Sequence, residues 1–494
     1  MSWALYAIIG VPLVAVALTL ADGWRLARAA TLAAGLTSLG LAIAIAIWVD
    51  HGRVLDTAHG WIRVDSLGAV FLLATALVYA AAGVFSIGYL AAEREHTGFA
   101  GFSKRYYAYL NLFGWTMLLV PLAADFATLW VTVELTTIVS ALLVAIDRTD
   151  AALEASWKYI LIASSGLGIA LLAIIVLYAT GTHPLGAEYI PRYVRLLGHA
   201  DALSQDAVAL AFVLAVVGFG TKAALVPMHT WLPDAHSEAP APVSALLSGS
   251  LLAAAFYAIL RFFQVAVATG QRSFAEHVLI VFGVISLLVA AFSVIRQGNY
   301  KRLLAYSSIE HMGIVALGIG FGAPLAVAGA LLHVITHASA KGLAFFGSGS
   351  LLRGYDTKEV DQITGAARRM PFTGPMFMAA ALAISGLPLS GVFRSEFQIV
   401  SGGFAHAQYV GVTLLVVFVN IAFFGVIWHA TRMVLGGPEL ADHDPAAASA
   451  RERGPWMIAA MLGCLFVSVA LGVHLPGDLA ALLSSAEHRL AVPA

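Results

Sequence analysis

Cysteine is nearly absent, with Cys464 the one thiol among 494 residues. One thiol builds no iron–sulfur cluster and no disulfide within the chain. No glycine-rich phosphate loop or dinucleotide fingerprint occurs either, so electrons are not expected to pass through this polypeptide and no cofactor is expected on it. Charge is scarce as well. Asp, Glu, Lys and Arg make up 11% of the residues, against roughly 25% in soluble domains. With 60% hydrophobic side chains, a soluble enzyme is excluded, and the lipid bilayer replaces nucleic acid as the expected surroundings.

Apolar stretches of about 20 residues, the length needed to span a bilayer, recur along the whole chain. Fourteen are read, near 3–20, 29–49, 65–91, 107–122, 125–146, 157–180, 207–228, 242–268, 276–295, 304–322, 324–350, 372–401, 407–435 and 456–473. The expected fold is an all-α integral membrane protein of about fourteen transmembrane helices. The first stretch has no basic flank before it and reads as a span rather than a cleaved signal. Loops on the side reached after the first span hold seventeen basic residues, Arg94, Lys104, Lys158, Lys301, Lys358, Arg451 and Arg453 among them, against seven on the other side. By the positive-inside rule the first side is cytoplasmic. The expectation is a multi-pass plasma-membrane protein with both termini outside.

Three basic residues remain within spans: Lys222, Lys341 and Arg394. A charge at mid-bilayer costs roughly 2.5–3.5 kcal/mol or more, so each needs a reason. Lys222 lies in AVVGFGTKAALVP (215–227) and Glu134 in LWVTVEL (129–135). Inside a bundle each would favour the other's charged form, so the two are expected to meet, either as a static ion pair or as a site that gains and loses a proton. In HVITHASAK (333–341), His333, His337 and Lys341 fall at i, i+4 and i+8 on one helical face. Imidazole both donates and accepts, and its ordinary pKa near 6.5 suits a proton relay. Hydrogen bonding across the bundle is the structural alternative. No metal is expected, since no Glu sits between the histidines as in a zinc-protease motif. Glu396 follows as a terminal acid, with Arg394 on a different face. Lys301 and His311 mark either a cytoplasmic mouth or interfacial anchors.

Two spans are interrupted alike, the seventh at Pro227 and the twelfth at Gly386, Pro388 and Gly391 within ISGLPLSGVFRSEF (384–397). Proline removes a backbone donor and glycine tolerates the bend. Broken helices at membrane depth face protein or a wet cavity, and a pair of them five spans apart points to inverted repeats. The division read is 1–106 for three leading helices, 107–268 and 269–435 for two inverted five-helix repeats, and 436–494 for a loop and the last helix.

The run GTKAALVPMHTWLPDAHSEAPAPVSALL (220–247) resembles the signature of the antiporter-like subunits of respiratory complex I and its relatives. KRLLAYSSIEHMG (301–313) and ALEASWKY (152–159) are similar, more narrowly, to the component F membrane proteins of hydrogenase-4 and formate hydrogenlyase-type complexes. The resemblance implies a proton-pumping module driven by electron transfer in partner membrane and peripheral subunits of a multi-subunit oxidoreductase complex. It implies that Glu134 and Lys222 form the cytoplasm-facing half-channel, that His333 and His337 form the central axis, and that Glu396 is the terminal acid. It also exposes a departure: the eighth-span lysine of some relatives is replaced here by Ala253, so a relay must run through water or Lys341, or it does not conduct. The long C-terminal lateral helix of the largest relative is not seen. Other functions sharing this module are a subunit of a multi-subunit Na⁺/H⁺ antiporter or of an inorganic-carbon uptake complex, or a non-conducting scaffold.

Overall fold

The computed structural model describes residues 1–21, 23–57, 60–91, 98–186, 188–436, 452 and 454–491; Arg94, Arg451 and Arg453, counted for orientation, lie outside them. The described residues form a helical bundle with a single hairpin, Leu55–Asp56 against Arg63–Val64. Eleven described helices are long and apolar enough to cross a bilayer. Length and apolar character alone therefore account for eleven spans, not fourteen. The other three expected segments are helical but of different character. Phe99–Leu119 and Pro324–Tyr355 carry more polar side chains, and the twelfth is split into Thr373–Ile384 and Gly391–Ala405.

Caps explain where several helices begin beyond the apolar run. Asp150–Leu185 starts well before position 157 because Thr149 accepts a hydrogen bond from the Ala152 amide at 3.1 Å and Asp150 opens the first turn, both favourable at a helix N-terminus. The Ala241–Ala268 segment is enclosed on all sides, whereas Ser2–Ala21 and Asp150–Leu185 bury one stripe and turn the rest outward. A helix apolar all round belongs in the interior. Around it stand Ser66–Ala91, Tyr300–Gly320 and Pro324–Tyr355, also largely buried.

Both broken helices end by the same device. Gln205–Lys222 closes with the Ala224 amide on the Thr221 carbonyl and the Leu225 amide on the Gly220 carbonyl, Ala224 being left-handed at φ 58°. Thr373–Ile384 closes with Gly386 on Ala383 and Leu387 on Leu382, Gly386 at φ 67°. This pairing satisfies the orphan carbonyls of a helix end. It corrects the reading of the first break. The helix stops at Lys222, ahead of Pro227, which lies in the connecting segment. Gly391 is also not a bend: it begins the second half-helix, capped by Ser390, and a Cβ there would meet Thr336 Cγ2 at 2.5 Å.

Distant segments are tied together at one end of the bundle. Arg261 grips Asp65 through two hydrogen bonds of 2.8 and 2.9 Å, with Tyr257 and Gln264 completing its fork. Asp65 itself precedes the Ser66–Ala91 helix and accepts from the Gly68 amide. Burial pushes the Asp65 carboxyl up, and the Arg261 charge with its hydrogen bonds more than reverses this, holding it well below the usual carboxylate range. Removing one member of such a pair leaves a buried charge without its partner. Arg261→Ala is expected to lower the stability of the purified protein by about 3–5 kcal/mol, read as a fall in its thermal unfolding midpoint.

Candidate functional site

Lys222 is the last residue of its half-helix and wholly buried, where the negative end of the helix dipole favours a cation. Its ammonium donates to Thr137 Oγ1 at 2.5 Å and to Tyr159 OH at 2.7 Å. The Tyr159 hydroxyl lies 2.8 Å from Ser140, and Ser140 donates to the Thr136 carbonyl, so the tyrosine donates onward. Glu134 is partly exposed and accepts from Ser164 at 2.9 Å and from Thr137 at 3.5 Å. The two charges thus meet through a hydroxyl rather than as a direct ion pair. Thr137 accepts from the lysine and donates to the glutamate, a bridge along which a proton shift is possible.

Lys301 is almost fully buried and donates to the Ser237 and Ala239 carbonyls at 3.0 and 2.6 Å. These close the C-terminal end of Trp231–Glu238, so Lys301 is a helix cap inside the protein, not an open mouth. Charges at this end pair around the same half-helix: Arg302 and Lys158 with Asp234, and Lys358 with Glu238. Lys341 donates to the Leu304 carbonyl at 3.0 Å. Ser308 donates to that same carbonyl and meets Ser248 at 2.7 Å. Ser248 belongs to a π-helical turn, Leu247–Leu251, that abuts Ala338 of the long helix. Such turns widen the backbone ladder and often occur at functional sites. Ala253 is buried, and Lys341 and the Ser248–Ser308 hydroxyl pair are joined through the Leu304 carbonyl.

The largest correction concerns His311. It lies midway along Tyr300–Gly320, fully buried, and belongs to the histidine row rather than to an entrance. His311 Nδ1 is 2.9 Å from His333 Nε2, and His333 Nδ1 is 2.9 Å from Ser395 Oγ. Ser395 donates its hydroxyl hydrogen to the Val392 carbonyl at 2.7 Å, so it accepts from His333. His333 then carries its hydrogen on Nδ1 and accepts at Nε2 from His311 Nδ1–H. In this tautomer His311 Nε2 carries no hydrogen and makes no hydrogen bond of ordinary geometry, the Ile384 carbonyl lying toward the ring. His337 adds a ring 4.8 Å from His311, with neither nitrogen partnered.

Glu396 is buried beside this group and lines a cavity of about 340 Å³ together with Ser385, Pro388 and Asn420. Arg394 reaches instead toward the Leu471 carbonyl. Glu396 also packs against the break in its own span: a Cβ on Gly386 would stand 2.4 Å from Glu396 Oε2, at a left-handed φ. Gly386→Ala is therefore strained twice, by backbone and by displaced carboxylate. It is expected to cost about 1–3 kcal/mol of stability, read as a lower thermal unfolding midpoint than that of the conservative Ala381→Ser control.

Sequence reasoning passed over Glu310, a buried acid next to His311. Its setting, AYSSIEHMG (305–313), is too polar for the signal that singled out Glu134, an acid in an apolar run. His236, enclosed and stacked on Phe345 with ring centres 4.8 Å apart, had no such signal, and neither did Thr137, Tyr159 or Ser395, which matter through their contacts.

The family described as NADH:quinone oxidoreductase/Mrp antiporter, transmembrane, matches residues 123–422. The chain is 34% identical over 425 residues to a hydrogenase-4 component F homolog of Methylacidiphilum infernorum, covering 85% of this chain and 87% of that one. Two solved structures share its fold. One is a chain of the archaeal membrane-bound sulfane sulfur reductase (TM-score 0.86, 22% identity, 99% and 98% of the two chains). The other is a chain of the Mrp complex from Dietzia sp. DQ12-45-1b (TM-score 0.86, 23% identity, 100% and 98%). Broken helices, buried amines and imidazoles, and these matches agree: the chain is a multi-pass membrane protein belonging to the NADH:quinone oxidoreductase/Mrp antiporter family of antiporter-like subunits.

Proposed function

We propose that this protein is the proton-translocating membrane subunit of a hydrogenase-4-like or complex I-like assembly, carrying protons while partner subunits carry electrons. The observation that bears most weight is the hydrogen-bonded line His311–His333–Ser395, buried in the bundle centre and flanked by Glu396. A proton taken at His311 Nε2 releases the Nδ1 proton to His333 Nε2, and His333 passes its own from Nδ1 toward Ser395. The ring-to-ring step breaks one N–H bond and forms another; the step to Ser395 Oγ breaks an N–H bond and forms an O–H bond while the serine gives up its own hydroxyl hydrogen toward Glu396, and the line resets when the rings exchange tautomers. Glu134 and Lys222, bridged by Thr137, form the entry pair, Lys341 the intermediate station, and Glu396 the exit acid. Partner-driven movement of charge near Lys222 shifts the proton between Lys222 and Glu134.

In this reading 107–268 and 269–435 are the two inverted repeats, their matched helix closures at Lys222 and Ile384 supporting the division. The chain lies in the plasma membrane with both termini outside and carries no cofactor of its own. The Mrp likeness favours one second reading, a subunit of a multi-subunit cation/proton antiporter. Gentle purification and identification of the co-purifying chains tests the assignment. Nickel–iron hydrogenase-like or quinone-reductase subunits support it; small antiporter subunits replace it with the second reading.

A further inference from the structure

His311, His333 and Glu396 each bring one ligand atom into a common space, the three atoms lying within 4.8 Å of one another and all three residues buried. They come from three helices, Tyr300–Gly320, Pro324–Tyr355 and Gly391–Ala405, so only the folded bundle assembles them. A second observation points to a ligand. Both nitrogens of His337, whose ring centre lies 4.8 Å from that of His311, are buried without partners, and an imidazole nitrogen with no hydrogen bond is what a cation takes. His333 is already oriented from behind by Ser395, the kind of outer hydrogen bond that fixes metal-bound histidines.

The geometry points to a binding site for one divalent cation of the Zn²⁺ class, held by His311, His333 and Glu396, whose occupancy blocks proton movement. Two imidazoles and a carboxylate match zinc's preferences, whereas Na⁺, Mg²⁺ and Ca²⁺ seek oxygen alone. Zinc–nitrogen bonds of about 2.0–2.1 Å at tetrahedral angles place two nitrogens about 3.3 Å apart. The rings stand at 2.9 Å and need part only slightly. Glu396 borders the 340 Å³ cavity, which gives its carboxylate room to swing. Binding moves the His311 hydrogen from Nδ1 to Nε2 and takes Glu396 as a carboxylate, with His337 or water in the fourth position. With His333 Nε2 on the metal, its hydrogen bond from His311 is gone and the relay is cut. The blocking part rests on the proposed function; the binding part does not.

The test is calorimetric titration of the purified full-length protein with Zn²⁺, alongside Co²⁺ followed by its visible d–d absorption, which reports tetrahedral ligation. One ion per chain is expected, with affinity falling about 10-fold or more in His311→Gln, His333→Gln and the near-isosteric Glu396→Gln. His429→Gln, whose ring bonds the Ile295 carbonyl instead, retains it. No binding, or equal binding by all four variants, overturns the site. Should a histidine variant fail to fold, Glu396→Gln and the wild-type Co²⁺ spectrum decide. In vesicles, Zn²⁺ that fills the calorimetric site stops proton movement. Bound Zn²⁺ with undisturbed pumping overturns the blocking role, and with it the path through His311 and His333, while the calorimetry separately fixes the metal site.

Discussion

Vesicles carrying Lys222→Ala lose coupled proton movement by about 10²-fold or more, the range set by removing a positioned proton donor, while the assembled complex is recovered in near-normal yield. The two halves of this result have separate causes. Lys222 is wholly buried and makes its hydrogen bonds to Thr137 and Tyr159. Truncation leaves two hydroxyls short of a donor, at about 1–3 kcal/mol, but it also removes a charge whose desolvation opposed folding. The two changes partly offset, so assembly survives and the proton station does not. Glu134→Ala behaves likewise. Thr137→Val is the sharper variant: it keeps both charges and removes the hydroxyl between them. If Lys222→Ala and Glu134→Ala both pump normally, the channel assignment is wrong.

His311→Ala stops transport as completely as Lys222→Ala, and His311→Gln fails to restore it. Glutamine keeps a donor and an acceptor near the His333 nitrogen but cannot take up a proton at one end and release one at the other. A packing role predicts the reverse, with near-full rescue by glutamine. His337→Ala slows transport more than it lowers yield, yet by less than His311→Ala, because the His337 nitrogens hold no hydrogen bond in the line. Yield falling further than transport in either variant would favour packing. Initial proton-uptake rates, normalised to the assembled complex recovered by size exclusion, provide the measurement.

The unequal standing of these residues shows where a one-dimensional reading works. Lys222, Lys341, His333, His337 and Glu396 were legible because an ionisable side chain inside an apolar run is costly wherever the chain places it. The interruption of the twelfth span was legible at Gly386, whose left-handed φ few other residues adopt. The seventh was misplaced to Pro227. Its helix is closed by an alanine in that same conformation, where glycine is the usual residue, so the sequence carried no signal for it. Lys301 and His311 sit in a polar motif that follows a loop, and such a pattern reads as a surface feature. They are interior because Tyr300–Gly320 is buried along nearly its whole length.

By itself the sequence determined that this chain lives in a membrane, that its helices are many, and that its few intramembrane charges are costly enough to need partners, since apolar length and desolvation are properties of composition and order. Only the tertiary structure decided which groups touch: Thr137 between Glu134 and Lys222, and His311 joined to His333 and set beside Glu396. Hydrogen bonds act over about 3 Å, and most of those partners lie on different helices whose approach is fixed by packing rather than by any local pattern in the chain.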